Sequence, residues 1–525
     1  MTTLRSLFVA ALVLAALPTA ALASPTQESM FQDDPMLVYG TEEQVNSTLD
    51  TLAAFGVDRI RVSVFWSIVA PANDQLQKPS FDATDPGAYP AQLWERYDRI
   101  VRGALARGIA VNLNLTSPIP RWAATQSPRE DLQATFGPSA DEFGSFVRAV
   151  GTRYSGTYQD LPRVDYWSIW NEPNQAGWLT PQWSPDPRDG TAMVEAAPMT
   201  YRQLVAAAWT NLADSGHGSD TILVGETAPQ GQKKRRGLSQ SLDPLRFLRQ
   251  VYCVDDNLNL LKGTSAEVRG CPVGNPAAFV AQNPGLFRAT GYAHHPYALL
   301  TPPGRRSSWP DWVSMSDLRA LSRELKRIYQ RYGQRPQSRR GVPLYLTEYG
   351  YQTKPDPFSI SFARQAAWIN EAEYLAYKNP NVRAMSQFLL VDDAPVASVD
   401  PKKDPRLYWR TFQSGLKLLS GKRKLSYTAY VTPIFVKQRT IRRGRSVGVF
   451  GLVRGAKAGT RPPVQMQWRP RGRKGWRTRR TVRVGGLRHY LNAQVRVPSS
   501  GHLRLRWRNG SRTVVSRSAA ITVRR

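Results

Sequence analysis

Eight short apolar runs rich in β-branched residues recur along roughly the first four hundred residues, mostly separated by helical patterns. This alternation restricts the fold more than any other feature of the chain. The runs are Met36–Tyr39, Arg59–Phe65, Ile109–Leu115, Val164–Trp170, Thr221–Gly225, Thr290–Ala293, Pro343–Thr347 and Ala384–Leu390. Each reads as a strand buried on both faces. Between them, Leu93, Trp94, Tyr97, Ile100, Val101 and Leu105 keep helical spacing, as do Phe143, Phe146, Val147 and Val150, and Leu318, Leu321, Leu325 and Ile328. Strands alternating with helices predict an α/β fold with a parallel sheet covered by helices. Eight repeats suit a closed (β/α)8 TIM barrel with insertions better than an open, doubly wound sheet. The connection from the fifth run to the sixth is the longest, and it carries both cysteines.

A chain of 525 residues is too long for one compact core. Residues 1–23 read as a signal peptide: Arg5 is the positive start, Leu7 to Leu17 is apolar, and Ala21-Leu22-Ala23 offers a cleavage site before Ser24. The apolar run is short for a bilayer, so an uncleaved anchor is the weaker reading. The expected location is secreted and extracellular, with wall association open and no transmembrane segment. Residues 24–430 would be the barrel. From Val431 to Arg525 the texture changes to alternating runs such as Val447–Phe450, Val464–Trp468, Thr481–Val484 and Leu503–Trp507. Short strands with Gly, Pro or Ser between them predict a small β-sandwich of immunoglobulin or fibronectin type.

Charge marks the same boundary. The net charge is +31, and the last stretch holds 25 Lys and Arg with no Asp or Glu. The preceding residues carry 46 basic against 40 acidic groups. An acid-free domain attracts polyanions. Outside a cell these would be anionic wall or extracellular polymers or a membrane surface, with no dedicated nucleic-acid partner. A merely solvated arginine-rich face is the competing reading. The run Lys233 to Arg236 resembles a localisation signal but reads better as an exposed loop of an exported protein.

Export favours one disulfide between Cys253 and Cys271, with two free buried thiols as the alternative. Two cysteines and five scattered histidines speak against a Cys-rich metal site. No phosphate loop or dinucleotide fingerprint follows any strand, so no cofactor and no metal are expected.

The chemistry lies where two of the runs end. Asn171-Glu172-Pro173 closes the fourth and Glu348 closes the seventh. Barrels carry their catalytic groups on this rim. A carboxylate there is badly placed for packing and well placed for reaction. Two such carboxyls, one protonated and one charged, suffice to hydrolyse a glycosidic bond.

With His295-Pro296-Tyr297 after the sixth run, the set resembles the TIM-barrel clan of retaining glycoside hydrolases that includes cellulases and β-xylosidases. The similarity spans roughly Pro35 to Tyr430. It implies Glu172 as acid/base and Glu348 as nucleophile. It further implies Asn171 on the sugar 2-hydroxyl, Tyr297 orienting the nucleophile, His295 lining the same subsite and Arg61 supporting the nucleophile. His294 reads as structural. Many relatives carry a tryptophan at the end of strand eight, where this chain has Ser386-Gln387-Phe388-Leu389, so Gln387 is the candidate to bind the sugar instead. Trp122, Trp178, Trp183, Trp309 and Trp312 fall in loops expected near the cleft, where stacking on sugars and ordinary packing are both open. Asp392 and Asp393 are candidates for substrate hydroxyls or for capping the next helix.

The reading is a secreted, retaining hydrolase of O-glycosidic bonds in a poly- or oligosaccharide. The alternative is a non-catalytic carbohydrate-binding or wall-adhesive protein on the same scaffold.

Overall fold

The computed structural model describes Ser24, residues 26–233 and residues 237–525. The proposed leader, and Lys234, Arg235 and Arg236, lie outside the described residues. Eight parallel strands close a barrel: β1 (Glu28–Gln32), β2 (Arg59–Phe65), β3 (Ala110–Thr116), β4 (Tyr166–Ile169), β5 (Thr221–Thr227), β6 (Gly291–His294), β7 (Leu344–Leu346) and β8 (Val382–Phe388). They follow one another in chain order around the ring, and β1 pairs with both β8 and β2.

Seven of these match the sequence reading to within a few residues. The first does not. Asp34–Leu37 is a helical turn, not a strand: Asp33 accepts a hydrogen bond from the Met36 amide and Pro35 occupies the first turn. The closing strand lies just upstream, in Glu28–Gln32. Capping chemistry here outweighs a short apolar run that strand and helix can share.

Two packed layers hold the barrel. Met30, Leu223, Ala293, Tyr345 and Ala384, from five different strands, fill its interior. A larger shell lies between the strands and the outer helices, where Trp94, Tyr97, Ile100 and Val101 of the helix Ala91–Ala106 are all buried. The three helices expected from spacing are present as Ala91–Ala106, Ala140–Arg153 and Leu318–Arg331. Among the described residues the β5–β6 connection carries four short helices, and the disulfide Cys253–Cys271 has formed across it.

The terminal domain holds nine strands: β9 (Ile434–Val436), β10 (Thr440–Arg442), β11 (Ser446–Leu452), β12 (Pro463–Pro470), β13 (Arg477–Arg483), β14 (Tyr490–Arg496), β15 (Gly501–Asn509), β16 (Arg512–Val515) and β17 (Ala519–Arg524). Strands β9, β11 and β14 make a three-stranded sheet and the other six a second sheet. Val447, Val449, Met466 and Leu505 are buried between the two. The outer side of the smaller sheet packs on the barrel helix Phe362–Tyr377, where Tyr374 stacks on Phe435 at 4.8 Å and Tyr377 meets Phe450 at 5.1 Å. No helix among the described residues is long and apolar enough to cross a membrane.

Candidate active site

Parallel strands bring their carboxyl ends to one rim, and five of them deliver the candidate groups. Arg61 points inward from β2, Asn171 and Glu172 follow β4, Glu226 is the next-to-last residue of β5, His295 and Tyr297 follow β6, and Glu348 follows β7. Three residues here hold left-handed backbone: Trp170 at φ 66°, Glu172 at 37° and Glu226 at 46°. Non-glycine residues pay for that geometry, and such strain collects at functional sites. A hydrogen bond of 2.9 Å from the Glu172 amide to the Glu226 carbonyl locks the two turns together.

The side chains form one network. Arg61, fully buried, donates to Glu348 Oε1 at 2.9 Å, Gln32 Oε1 at 2.6 Å, Asn171 Oδ1 at 2.7 Å and Glu226 Oε2 at 3.1 Å. The Tyr297 hydroxyl donates to Glu348 Oε2 at 3.0 Å, so both oxygens of Glu348 are held by donors. His295 bridges Glu172 Oε1 at 2.9 Å and Glu226 Oε2 at 2.8 Å, and Thr347 donates to the same Glu226 oxygen at 2.6 Å. A carboxylate oxygen of Glu172, one of Glu348 and a ring nitrogen of His295 all lie within 4.8 Å of one another.

Burial and charge pull these groups in opposite directions. Burial disfavours a charged His295, yet Glu348, Glu172 and Glu226 around it overrule burial and push its pKa up to about 10. Burial likewise raises Glu226, but the Arg61 and His295 charges outweigh it and hold that carboxyl at about 2. Burial keeps Glu348 above its usual range, with the His295 and Arg61 cations pulling it back and Glu172 adding to the rise. At neutral pH His295 is therefore an imidazolium donating from both nitrogens. Among the described residues, Glu172, His295 and Glu348 are the grouping with ligand geometry for a metal.

Above this floor opens a cleft of about 410 Å³. Glu172, Glu348, Asn171 and Tyr297 line its base, while Tyr39, Trp178, Leu299, Phe388 and Phe412 contribute to its walls.

The sequence pattern of the cellulase family, glycosyl hydrolase family 5, matches residues 22–383, and the span includes both glutamates. The chain belongs to this family. It is a glycoside hydrolase by that membership, and the match ends before most of β8 and the whole terminal domain. No curated protein matches the chain by sequence. Solved structures similar to it include a family 39 glycoside hydrolase from the gut symbiont Bacteroides cellulosilyticus WH2. That structure has 13% identity and TM-score 0.48, covering 90% of this chain and 80% of its own. GH5_18 from Streptomyces cattleya in complex with GlcNAc has 14% identity and TM-score 0.44, covering 80% and 85%. The exo-β-1,4-mannosidase Op5Man5 from Opitutaceae bacterium strain TAV5 has 14% identity and TM-score 0.40, covering 78% and 60%.

In this member of family 5, Arg61, Asn171, Glu172, His295, Tyr297 and Glu348 meet in one network. Gln387 does not join them. Its amide donates to the carbonyls of Phe388 at 2.8 Å and Ser414 at 3.3 Å, and Phe388, one position on, lines the cleft instead. The alternation of β8 decides this: successive residues point to opposite faces. His294 is structural, buried between Thr227 Oγ1 and the Val313 carbonyl, and burial drives its pKa down to about 3.

The loop tryptophans divide. Trp178 lines the cleft, parallel to Phe65 at 6.5 Å, and Trp312 lines an adjoining pocket. Trp122 packs edge-on against Trp66, and the Trp183 indole donates to the Gln240 carbonyl. Trp309 is 48% exposed beside Trp312. Asp393 lines the cleft, with burial raising its pKa to about 6, whereas Asp392 is buried against Lys424 at 2.6 Å.

Glu226 escaped the sequence reading. The rule that picked out Glu172 and Glu348, an acid just past an apolar run, applied to it as well, since it follows Thr221–Gly225.

Proposed function

We propose that this glycosidase works with retention of configuration through Glu348 and Glu172. The convergence of the two carboxylates over one cleft, within 4.8 Å of each other and of His295, carries the reading. Retaining enzymes hold their carboxyls about 5–5.5 Å apart, and inverting ones need about 6.5–9.5 Å to admit a water. Glu348 attacks the anomeric carbon as the bond from that carbon to the leaving oxygen breaks, and Glu172 protonates that oxygen. Glu172 then takes a proton from water, the water oxygen bonds to the anomeric carbon, and Glu348 is released. Arg61 and Tyr297 aim the nucleophile and favour its anion. Asn171, anchored by Arg61, is placed to meet the sugar 2-hydroxyl. His295 donates to one Glu172 oxygen, leaving the other to carry the acid proton.

The substrate in this reading is a poly- or oligosaccharide. Glu172→Gln is expected to lower turnover of an aryl glycoside by about 10²–10⁴-fold, and Glu348→Gln to abolish it. A fluorinated glycoside should leave a covalent adduct on Glu348 by mass spectrometry. An adduct elsewhere, or variants as active as wild type, would sink the mechanism.

Export and retention on an anionic wall or extracellular polymer complete the proposal. The leader-like residues 1–23 support the first, and the acid-free terminal domain supports the second. Protein recovered from culture medium should begin at Ser24. Its retention on anionic polymer should fall as salt rises.

A further inference from the structure

The outer face of the six-stranded sheet carries an ordered row of arginines that catalysis does not use. On β12 and β15 the residues Val464, Met466, Trp468, Leu503, Leu505 and Trp507 point into the sandwich core. Their neighbours Gln465, Gln467 and Arg469, and His502, Arg504 and Arg506, point the other way. The antiparallel register sets Gln465 opposite Arg506, Gln467 opposite Arg504 and Arg469 opposite His502. Because the smaller sheet covers the barrel side, this face is turned away from the barrel.

The row is held in place. Arg504 Nε donates to Gln467 Oε1 at 3.0 Å and Arg506 Nη1 to Gln465 Oε1 at 3.2 Å. Trp476, in the connection from β12 to β13, has the Arg504 guanidinium 4.2 Å and the Arg469 guanidinium 4.9 Å from its ring centre. No acid exists in residues 431–525 to neutralise the cluster. Burial, then the charges of Arg506 and Arg469, hold Arg504 below the ordinary arginine value. Like charges on neighbouring strands destabilise a sheet. A fold that fixes three of them with amides and an indole, and leaves N–H groups of each guanidinium free, is preorganised for an anion.

We propose that Arg469, Arg504, Arg506 and Trp476 form a binding face for an acidic polysaccharide, a glycan chain carrying carboxylate groups. Guanidinium forks match carboxylates in a bidentate manner, and the indole holds two of those forks in place. A membrane surface fits less well. Leu487 is the one large apolar residue of this domain among those strongly exposed, and it lies on neither β12 nor β15. Nucleic acid fits less well too, because base stacking needs an open aromatic ring and this one is already covered by cations. The inference deepens the polyanion reading of the terminal domain and rests on it, independently of the catalytic mechanism.

The test is affinity electrophoresis of the full chain in gels containing polygalacturonate or neutral hydroxyethylcellulose at fixed salt. Polygalacturonate should retard the protein and the neutral polymer should not. Removing the face with R469S/R504S/R506S should weaken retardation about tenfold or more. Removing three charges elsewhere, with R442S/R443S/R445S, should leave it within about twofold. Trp476→Ala, which changes no charge, should also weaken it, with unchanged thermal midpoints showing that the variants fold. Equal weakening by both triple variants, or tighter binding to duplex DNA than to polygalacturonate at the same salt, would overturn the face while leaving a domain-wide polyanion attraction. No retardation of wild type would overturn both.

Discussion

Glu226 is the residue on which the charges of the site balance. It is fully buried, and its Oε2 receives donors from Arg61, His295 and Thr347. It touches no solvent-facing part of the cleft, so it acts by positioning the Arg61 and His295 cations that in turn hold Glu348 and Glu172. Glu226→Gln should lower kcat by about 10²-fold with little change in KM, since a small misplacement of reacting groups costs that much. The linkage has two limbs. His295, with its pKa raised to about 10, stabilises the fold fully below its unfolded value of about 6.5 and loses that contribution as pH rises toward 10. Glu226, held at about 2, stabilises the fold above its unfolded value of about 4.3 and loses it as pH falls toward 2. Thermal midpoints across pH should therefore fall on both sides of a plateau. In Glu226→Gln the alkaline fall should be smaller and finish at lower pH, because one of the carboxylates sustaining the imidazolium is gone.

At the scale of elements, β5 shows how backbone positions chemistry. Gly225 has φ +104°, and a Cβ there would stand 2.6 Å from the Tyr292 ring and 2.8 Å from the Ala293 carbonyl. Only glycine lets β5 approach β6 this closely while turning Glu226 inward. Gly225→Ala should destabilise by about 1–3 kcal/mol, read by urea unfolding, and should lower activity through displacement of Glu226. The disulfide ties the long β5–β6 connection, joining positions 18 residues apart. Cys253→Ser with Cys271→Ser should cost about 2–4 kcal/mol, seen in the same titration.

At the scale of the molecule, barrel and sandwich share one interface. Beyond the aromatic contacts, Glu373 of the barrel pairs with Arg454 of the sandwich, both side chains largely buried. Asn370 accepts hydrogen bonds from the Ile434 amide at 3.2 Å and Arg517 at 2.8 Å. Removing one partner of a buried pair strands the other charge, so Glu373→Ala should cost about 3–5 kcal/mol. Because the loss falls at the junction, calorimetry should then resolve two transitions where wild type shows one.

The barrel, the sandwich and most of the site were legible in the sequence because strand period, helix spacing and the placement of an acid after a strand are local properties of the chain. Seven of eight barrel strands and the strand-end positions of both carboxylates followed from such patterns, with the family resemblance assigning the roles. The misses differ in kind. Strand one lost to a capped turn, itself a local device; Gln387 lost to the side on which β8 presents it; Glu226 carried the same local signal as the other two glutamates, and only its neighbourhood of two cations depended on five strand ends being brought together. Which residues share a neighbourhood, and hence whether a carboxyl is a solvated strand end or the anchor of two cations, is set by barrel closure. Closure joins positions hundreds of residues apart, so no local pattern encodes it, and only the tertiary structure could decide it.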